Sequence, residues 1–313
     1  MIAASNISDA VTRLLAPDLL DFSKMAAEAA AISKTQAVLV GGVVRDMILG
    51  RPVVDADFMV EPPSAPVAHH LAHRTHAKLT EHDRFQTFNL LLPTGRKIDL
   101  VTAREETYAS PGALPKVKAS TIEKDLRRRD FTINAMVCRL EERNFGEILD
   151  PFDGRADLGK RQIRALHEKS FIDDPTRVFR AARFAGRLGF TIEPKTRAWI
   201  DGSVRAGLPG KLTPTRRRHE FELLLKEPKP TAALLLLKDW DALRQIHADW
   251  GGADVAAINL DNVFAPDEAT SLLEGRLIRW LRWWGPQRAL EIMTELGFER
   301  ATKRVVGDRL HAL

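Results

Sequence analysis

Apolar residues follow two periods along this chain. Residues 7 to 33 read as helices broken near Pro17, the second part alanine-rich from Met25 to Ile32. A short apolar run, Ala37 to Val40, reads as a buried strand. Gly41 and Gly42 follow, and glycines at a strand end permit backbone angles that other residues resist. Val43 to Leu49 has helical spacing and stops at Gly50, a residue common just past a helix end. Val53 to Val60 reads as strand again. Behind the breaker Glu61-Pro62-Pro63, Ser64 is a candidate N-cap for a helix reaching about His76. Phe85 to Leu92 and Lys97 to Val101 are strands joined by the turn Pro93-Thr94-Gly95. Arg104 to Lys124 has Gly, Pro and Ser but no period, so it reads as a long loop, a feature that tends to be functional. Asp157 to Ile163 reads as a short helix. From Leu208 the spacing is helical, with Leu234 to Leu243 and Leu272 to Trp284 supplying the apolar face of a helical body. Trp280, Trp283 and Trp284 read as core or as a partner surface. The fold class expected is α+β, a mixed-sheet head followed by helices.

Composition narrows the setting. A chain of 313 residues can bury a good core in two or three domains. Its 47 basic and 42 acidic residues give a formal charge of +5, which permits a nucleic-acid partner. One cysteine, Cys138, excludes an internal disulfide framework and fits a reducing cytoplasm. No apolar run spans a membrane, and the start MIAASNISDAVTRLL lacks the basic and apolar regions of a signal peptide. A cytoplasmic location is therefore expected.

Candidate chemistry begins at the glycines. Strand, Gly-Gly and helix make a phosphate cradle, because the first helical N–H groups are unpaired and point at a ligand. Arg45, in the first turn, is placed to reach a triphosphate. On a strand Asp55 and Asp57 project to one side, about 6–7 Å apart at their backbones. Two carboxylates so held repel unless a cation lies between them, and oxygen ligands of this kind suit magnesium bridged to substrate phosphates. A hairpin would lay Lys97 to Val101 beside that strand and point Asp99 toward the pair. From its residues alone Asp99 is equally a surface strand aspartate. Arg127, Arg128 and Arg129 offer donor forks for phosphate, and Asp130 and Asn134, one helical turn apart, can meet a sugar hydroxyl. Further on, Asp174 is a candidate N-cap with Pro175 at the first helical position, and Arg177, Arg180 and Arg183 share one broad face. The histidines His69, His70, His73 and His76 include an i, i+4 pair, His69 and His73, that can bind metal. The plainer reading is a solvated histidine-rich helix. His82-Asp83 is reminiscent of metal phosphohydrolases, but the further His and Asp ligands such sites need are missing.

Three strings in order, GGVVRD with DAD, RRDFTINA and DDPTR continuing as VFRAARFAGRLGF, resemble the class II CCA-adding tRNA nucleotidyltransferases and bacterial poly(A) polymerases. That family belongs to the polymerase-β-like nucleotidyltransferase superfamily. The resemblance covers roughly residues 38 to 190. It implies a mixed-sheet polymerase-β-like head (1–138), a neck that recognises the base (139–207) and a helical body that binds tRNA (208–313). It implies that Asp55, Asp57 and Asp99 are catalytic, with two Mg2+ ions on Asp55 and Asp57. Gly41, Gly42, Arg45, Arg128, Arg129, Asp130, Asn134, Asp174, Arg177, Arg180 and Arg183 are then nucleotide-binding, and CTP and ATP are added to a tRNA 3′ end. Asp173 stands where the family often has Glu. The segment from Arg104 to Lys124 corresponds to a flexible loop that helps switch the family's enzymes to adenosine, which argues against an enzyme adding cytidine alone. Adenosine-only addition and poly(A) addition remain as alternatives, although TIEPKTRAWID after RLGF lacks the basic stretch of the poly(A) branch. A non-catalytic RNA-binding module is the reading from another class, opposed by the three aspartates. Basic patches at Arg216 to Arg218, Arg276, Arg279 and Arg282 are expected to meet RNA phosphates.

Overall fold

The structure is a computed structural model that describes residues 5–82, 86–263 and 270–312. It divides into two compact units: Met1–Ala109 with Leu114–Lys160 and Arg164–Leu166, and Ser110–Ala113 with Arg161–Ile163 and His167–Leu313. Asp83 and Phe85, which figure in the expectations above, lie outside the described residues.

The first unit opens on α1 (Ser8–Leu14) and α2 (Pro17–Ile32). Pro17 is the first residue of α2, where its missing N–H is no loss. There follow β1 (Ala37–Val40), α3 (Gly42–Ile48), β2 (Asp57–Val60), α4 (Ser64–Thr75), β3 (Lys78–His82), β4 (Thr87–Leu91) and β5 (Lys97–Thr102). Next come β6 (Arg104–Thr107), β7 (Lys116–Ala119), α5 (Ile122–Arg127), β8 (Val137–Arg139), β9 (Ile148–Leu149) and α6 (Gly154–Lys160). Seven strands form one mixed sheet in the order β3-β4-β5-β2-β1-β8-β9. Only β2 and β5 run parallel; every other neighbouring pair is antiparallel. A parallel pair needs a crossover, and α4, β3 and β4 supply it. The sheet passes residue 138, the expected end of the head, because β8 and β9 extend it beside β1.

Period-two patterning explains which face the site uses. Phe88, Leu90, Ile98, Leu100 and Phe58 point to one buried face, where the Phe22 ring of α2 meets Phe58 edge-on at 5.0 Å. On the opposite face Val38, Val40 and Met59 pack with Ile122 and Leu126 of α5, and Val101 joins them. Asp57 and Asp99 share this second face with Met59 and Val101, two residues further along their strands.

Three local expectations change. The strand bearing the aspartates starts only at Asp57, since Val53 bridges instead to Leu15 and the chain between them is irregular. Ser64 does not cap α4; it is buried and its hydroxyl bonds Thr102 Oγ1 at 2.5 Å. The segment from Arg104 to Lys124 is no plain loop. It holds the β6–β7 ribbon and the start of α5, and its lack of apolar period follows from exposed polar pairing such as Glu105 with Lys118 and Lys124.

The second unit contains β10 (Gln162–Ile163), α7 (Ser170–Asp173), α8 (Thr176–Leu188), β11 (Thr191–Ile192), α9 (Pro194–Arg205) and α10 (Pro214–Leu225). It continues with α11 (Pro230–Asp239), α12 (Leu243–Ile246), α13 (Val255–Ile258), α14 (Leu272–Leu281), α15 (Gly285–Glu295) and α16 (Arg300–His311). The two-residue parallel pair β10–β11 is an addition to the expected all-helical part. Its core is aromatic: Phe221 lies 4.4 Å from Trp250, which meets Trp280 edge-on at 5.6 Å. Trp280 is thus core, while Trp283 is exposed. None of the helices described is long and apolar enough to cross a membrane.

Candidate active site

Register sets the carboxylates. In the parallel pair, Asp57 of β2 is the direct partner of Asp99 of β5. Asp55 precedes the strand rather than alternating along it, yet its charge still reaches Asp57. The Asp57 carboxyl is held above the ordinary carboxylate range. The protein packed around it is the first cause, Asp99 and Asp55 add to it, and the Arg129 guanidinium opposes it. Asp99 is held on its other flank by a bond from Asn89 Nδ2. Hard oxygen donors of this kind fit Mg2+, which keeps water and substrate phosphate for much of its shell. Among the described residues no three His, Cys, Asp or Glu converge closely enough to hold a metal unaided, so such an ion would draw part of its shell from substrate.

Beside them lies the glycine turn. Gly41 has φ 76° and ψ −123°, a conformation open only to glycine, and a Cβ there would come 3.1 Å from Arg129 Nη1. Arg129 is aimed by α5: its Nε and Nη2 donate to Asp125 at 3.1 and 3.0 Å. Asp125 is fully buried and also takes Arg128 Nε at 2.9 Å and Nη2 at 2.7 Å. Arg128 Nη1 continues to Glu106 on β6 at 2.7 Å, so its guanidinium bridges α5 to the ribbon. Arg45 is buried rather than presented to a triphosphate. It donates to Asn134 Oδ1 at 2.7 Å and to Asp46 at 2.9 and 3.0 Å, beneath Gly42. Asn134 Nδ2 in turn donates to Asp130 Oδ1 at 3.2 Å. Asp130 and Asn134 are thus brought together, through a bend and a 3-10 turn (Thr132–Asn134) instead of the helical turn expected.

In the second unit Asp174 Oδ1 accepts Thr176 N at 3.2 Å, Thr176 Oγ1 at 2.7 Å and Arg216 Nη2 at 3.0 Å. Asp174 is not the N-cap expected: Pro175 holds that position with no side-chain capping bond, and Asp174 lies one residue before it. Arg177 is buried and donates to Ser170 Oγ at 2.7 Å. Arg180 lies over the Phe184 ring at 5.5 Å, and Arg183 turns into the body, where its Nη1 donates to Glu227 at 3.3 Å. The four side chains thus divide: Asp174 and Arg177 beside the start of α8, Arg180 over Phe184, and Arg183 within the packing.

Sequence reasoning passed over several partners. Asp125 was visible three and four residues before the paired arginines, a helical spacing for ion pairs. Asn89 had a signal only through strand register. Arg216 and Glu220 lie over 40 residues from Asp174 and had none. Glu220 is buried with Oε2 lacking a hydrogen-bond partner among the described residues, and burial raises its carboxyl while Arg180 and Arg183 oppose the rise. On the histidine helix, His69 pairs with Glu81 of β3 at 3.2 Å.

A mixed sheet with in-register aspartates beside a glycine turn and a buried acid–amide pair defines a polymerase-β-like nucleotidyltransferase head. Residues 37–164 match the poly(A) polymerase head-domain family, and residues 189–249 match a probable RNA- and SrmB-binding site of polymerase A. The chain belongs to this family. An A-adding tRNA nucleotidyltransferase of Halalkalibacterium halodurans is 39% identical over 77% of this chain and 57% of its own length. A CC-adding tRNA nucleotidyltransferase of Deinococcus radiodurans is also 39% identical, over 66% of this chain and 54% of its own. The chain thus spans little more than half the length of these relatives. The structure of a CCA-adding enzyme in an apo form superposes with TM-score 0.75 at 31% identity, covering 97% of this chain and 70% of that one.

Proposed function

We propose that this chain is a template-independent tRNA nucleotidyltransferase that adds CMP and AMP to the tRNA 3′ end, building or repairing CCA. The observation that carries this reading is the register of β2 on β5, with Asp57 opposite Asp99 and Arg129 beside Gly41. The 3′-hydroxyl oxygen attacks the α-phosphorus of CTP or ATP. The new P–O bond forms as the bond to the β-phosphate breaks, and pyrophosphate leaves. Asp99 receives the hydroxyl proton. Arg129, fixed by Asp125, faces the phosphates, and Asp130 with Asn134 meets the ribose; Arg45 holds Asn134 in place. Two Mg2+ ions on Asp55 and Asp57 would activate the hydroxyl and neutralise the leaving group.

Base choice follows from donor and acceptor chemistry. Cytosine and adenine present an amino donor beside a ring-nitrogen acceptor, whereas uracil and guanine present the reverse. A carboxylate only accepts and a guanidinium only donates. Asp174 and Arg177 together satisfy the first pair and oppose the second. All bonds described for Asp174 fall on Oδ1, which leaves Oδ2 for the base's amino group. Helices from residue 208 onward would hold the tRNA.

An A-adding relative as similar as a CC-adding one supports a second reading, addition of the final adenosine alone. One assay separates these. Purified protein is given tRNA lacking three, two or one terminal nucleotides, with CTP or ATP singly. CCA addition predicts C, C and A in turn. Adenosine-only addition predicts incorporation on the last acceptor alone. Preference for oligo(A) over every tRNA would overturn both in favour of poly(A) synthesis.

A further inference from the structure

Four neighbouring strands of the head carry polar side chains in a row on one face. Asp57 pairs with Asp99, Asp99 with Asn89, and Asn89 with Thr80, and directly paired residues share a face. His82, two residues past Thr80, shares it too. The other face of β4 and β5 is closed by Phe88, Leu90, Ile98 and Leu100. Along the row, Asn89 Nδ2 donates to Asp99 Oδ1, and His82 Nε2 lies 2.6 Å from Asn89 Oδ1.

Hydrogen-bond chemistry fixes the order of protons in this row. An amide oxygen only accepts, so His82 must carry its proton on Nε2. A flipped Asn89 would set its oxygen against the Asp99 carboxylate and its NH2 against the histidine N–H. The carboxylate thereby selects the amide's orientation, and the histidine N–H holds the amide from its other end. Asp99 needs such a holder. It is exposed, and the Asp57 carboxylate across the strand pair repels it when both are charged. The bond occupies Oδ1 and leaves Oδ2 to face the reacting hydroxyl.

We propose that Asn89 is a positioning residue that holds Asp99 in the orientation needed to accept the proton of the attacking hydroxyl, with His82 fixing Asn89. This rests on the role given to Asp99 above. The described bonds of Asn89 run to Asp99 and His82, so the effect is assigned through Asp99.

A double-mutant cycle with Asn89→Leu and Asp99→Asn tests it, using tRNA lacking terminal nucleotides with CTP and ATP. Asn89→Leu should lower kcat about 10- to 100-fold, the loss of one charge-assisted bond, with little change in the nucleotide KM. In the Asp99→Asn background it should have no further effect. Near-normal kcat for Asn89→Leu beside an inactive Asp99→Asn would overturn the positioning role and leave Asp99 intact, as would additive losses. An active Asp99→Asn would instead remove the reading of Asp99 itself. Nitrogen NMR of the unsubstituted protein gives a readout independent of activity and of variant folding. His82 should be the Nε2–H tautomer, and an Nδ1–H tautomer would break the chain of bonds and overturn the proposal.

Discussion

At the scale of single residues, Asp57 answers to two opposed demands. In the proposed function its carboxyl is ionised to hold a cation, yet the packing around it and the charges of Asp99 and Asp55 favour the protonated form. Because the folded value is raised above the ordinary 3.8, the stability linked to this group is present at pH below that value. It is lost as pH rises through the raised one. Asp57→Asn should therefore melt above the parent at pH 7, with the difference shrinking toward pH 4, while transfer falls by about 10³-fold or more. Thermal melts across that range check the sign, and a variant that melts lower at pH 7 would contradict it. Base reading is testable at two other residues. Asp174→Ala and Arg177→Ala should each narrow the preference for CTP and ATP over UTP and GTP by about tenfold or more, the consequence of contacts worth about 1–3 kcal/mol. Relative kcat/KM for the four nucleotides is the measurement, and full discrimination in both variants would place base reading elsewhere.

At the scale of elements, the sequence exposed what depends on short-range pattern and hid what depends on partners. Ala37 to Val40, Gly41, the helix ending before Gly50 and the strands bearing Asp57 and Asp99 were readable, since apolar runs and glycine punctuation act locally. Asp55 was misplaced because strand alternation was carried two residues too far. What stopped it was the bridge of Val53 to Leu15, a contact 38 residues distant that no local pattern records. The β6–β7 ribbon was hidden because β6 is polar throughout and β7 offers only Val117 and Ala119 as apolar residues. The arginine runs misled most. Arg216 binds Asp174 and the Gly112 carbonyl, Arg217 the carbonyls of Gln245 and Ile246, and Arg276 those of Leu225, Glu227 and Pro228. A guanidinium that ties helix ends together looks the same in sequence as one that meets phosphate. Helix packing offers its own test at Gly186 of α8, where a Cβ would lie 2.9 Å from Ala233 N and 3.0 Å from Ala233 Cβ of α11. Backbone cannot yield as a flexible side chain does. Gly186→Ala should lower unfolding free energy by about 1–3 kcal/mol, read from the urea midpoint, and an unchanged midpoint would show that α11 shifts freely.

For the whole molecule, a net charge of +5 overstates what RNA can meet, since several of the 47 cations are engaged within the fold. Affinity for tRNA should still fall with salt, log K against log salt being linear. Arg276→Ala should lower the melting temperature and leave that slope unchanged, because Arg276 is buried against backbone carbonyls. A shallower slope would return Arg276 to the RNA surface. The strand order carries a consequence for the chain while it is being made. The strand before Gly41 has β2 on one side and β8 on the other, and β8 is followed in the sheet by β9, which ends at Leu149. Until those later residues leave the ribosome, a strand destined for the middle of the sheet is an open edge, able to pair with another chain. At 5–20 residues per second that interval is about 5–20 s. A fragment stopped at Ala135, before β8, keeps that edge open permanently, so it should aggregate where one carried to Leu166 stays soluble, as light scattering after synthesis would record. An interior strand of the candidate catalytic sheet is thus an edge strand until β8 has been made.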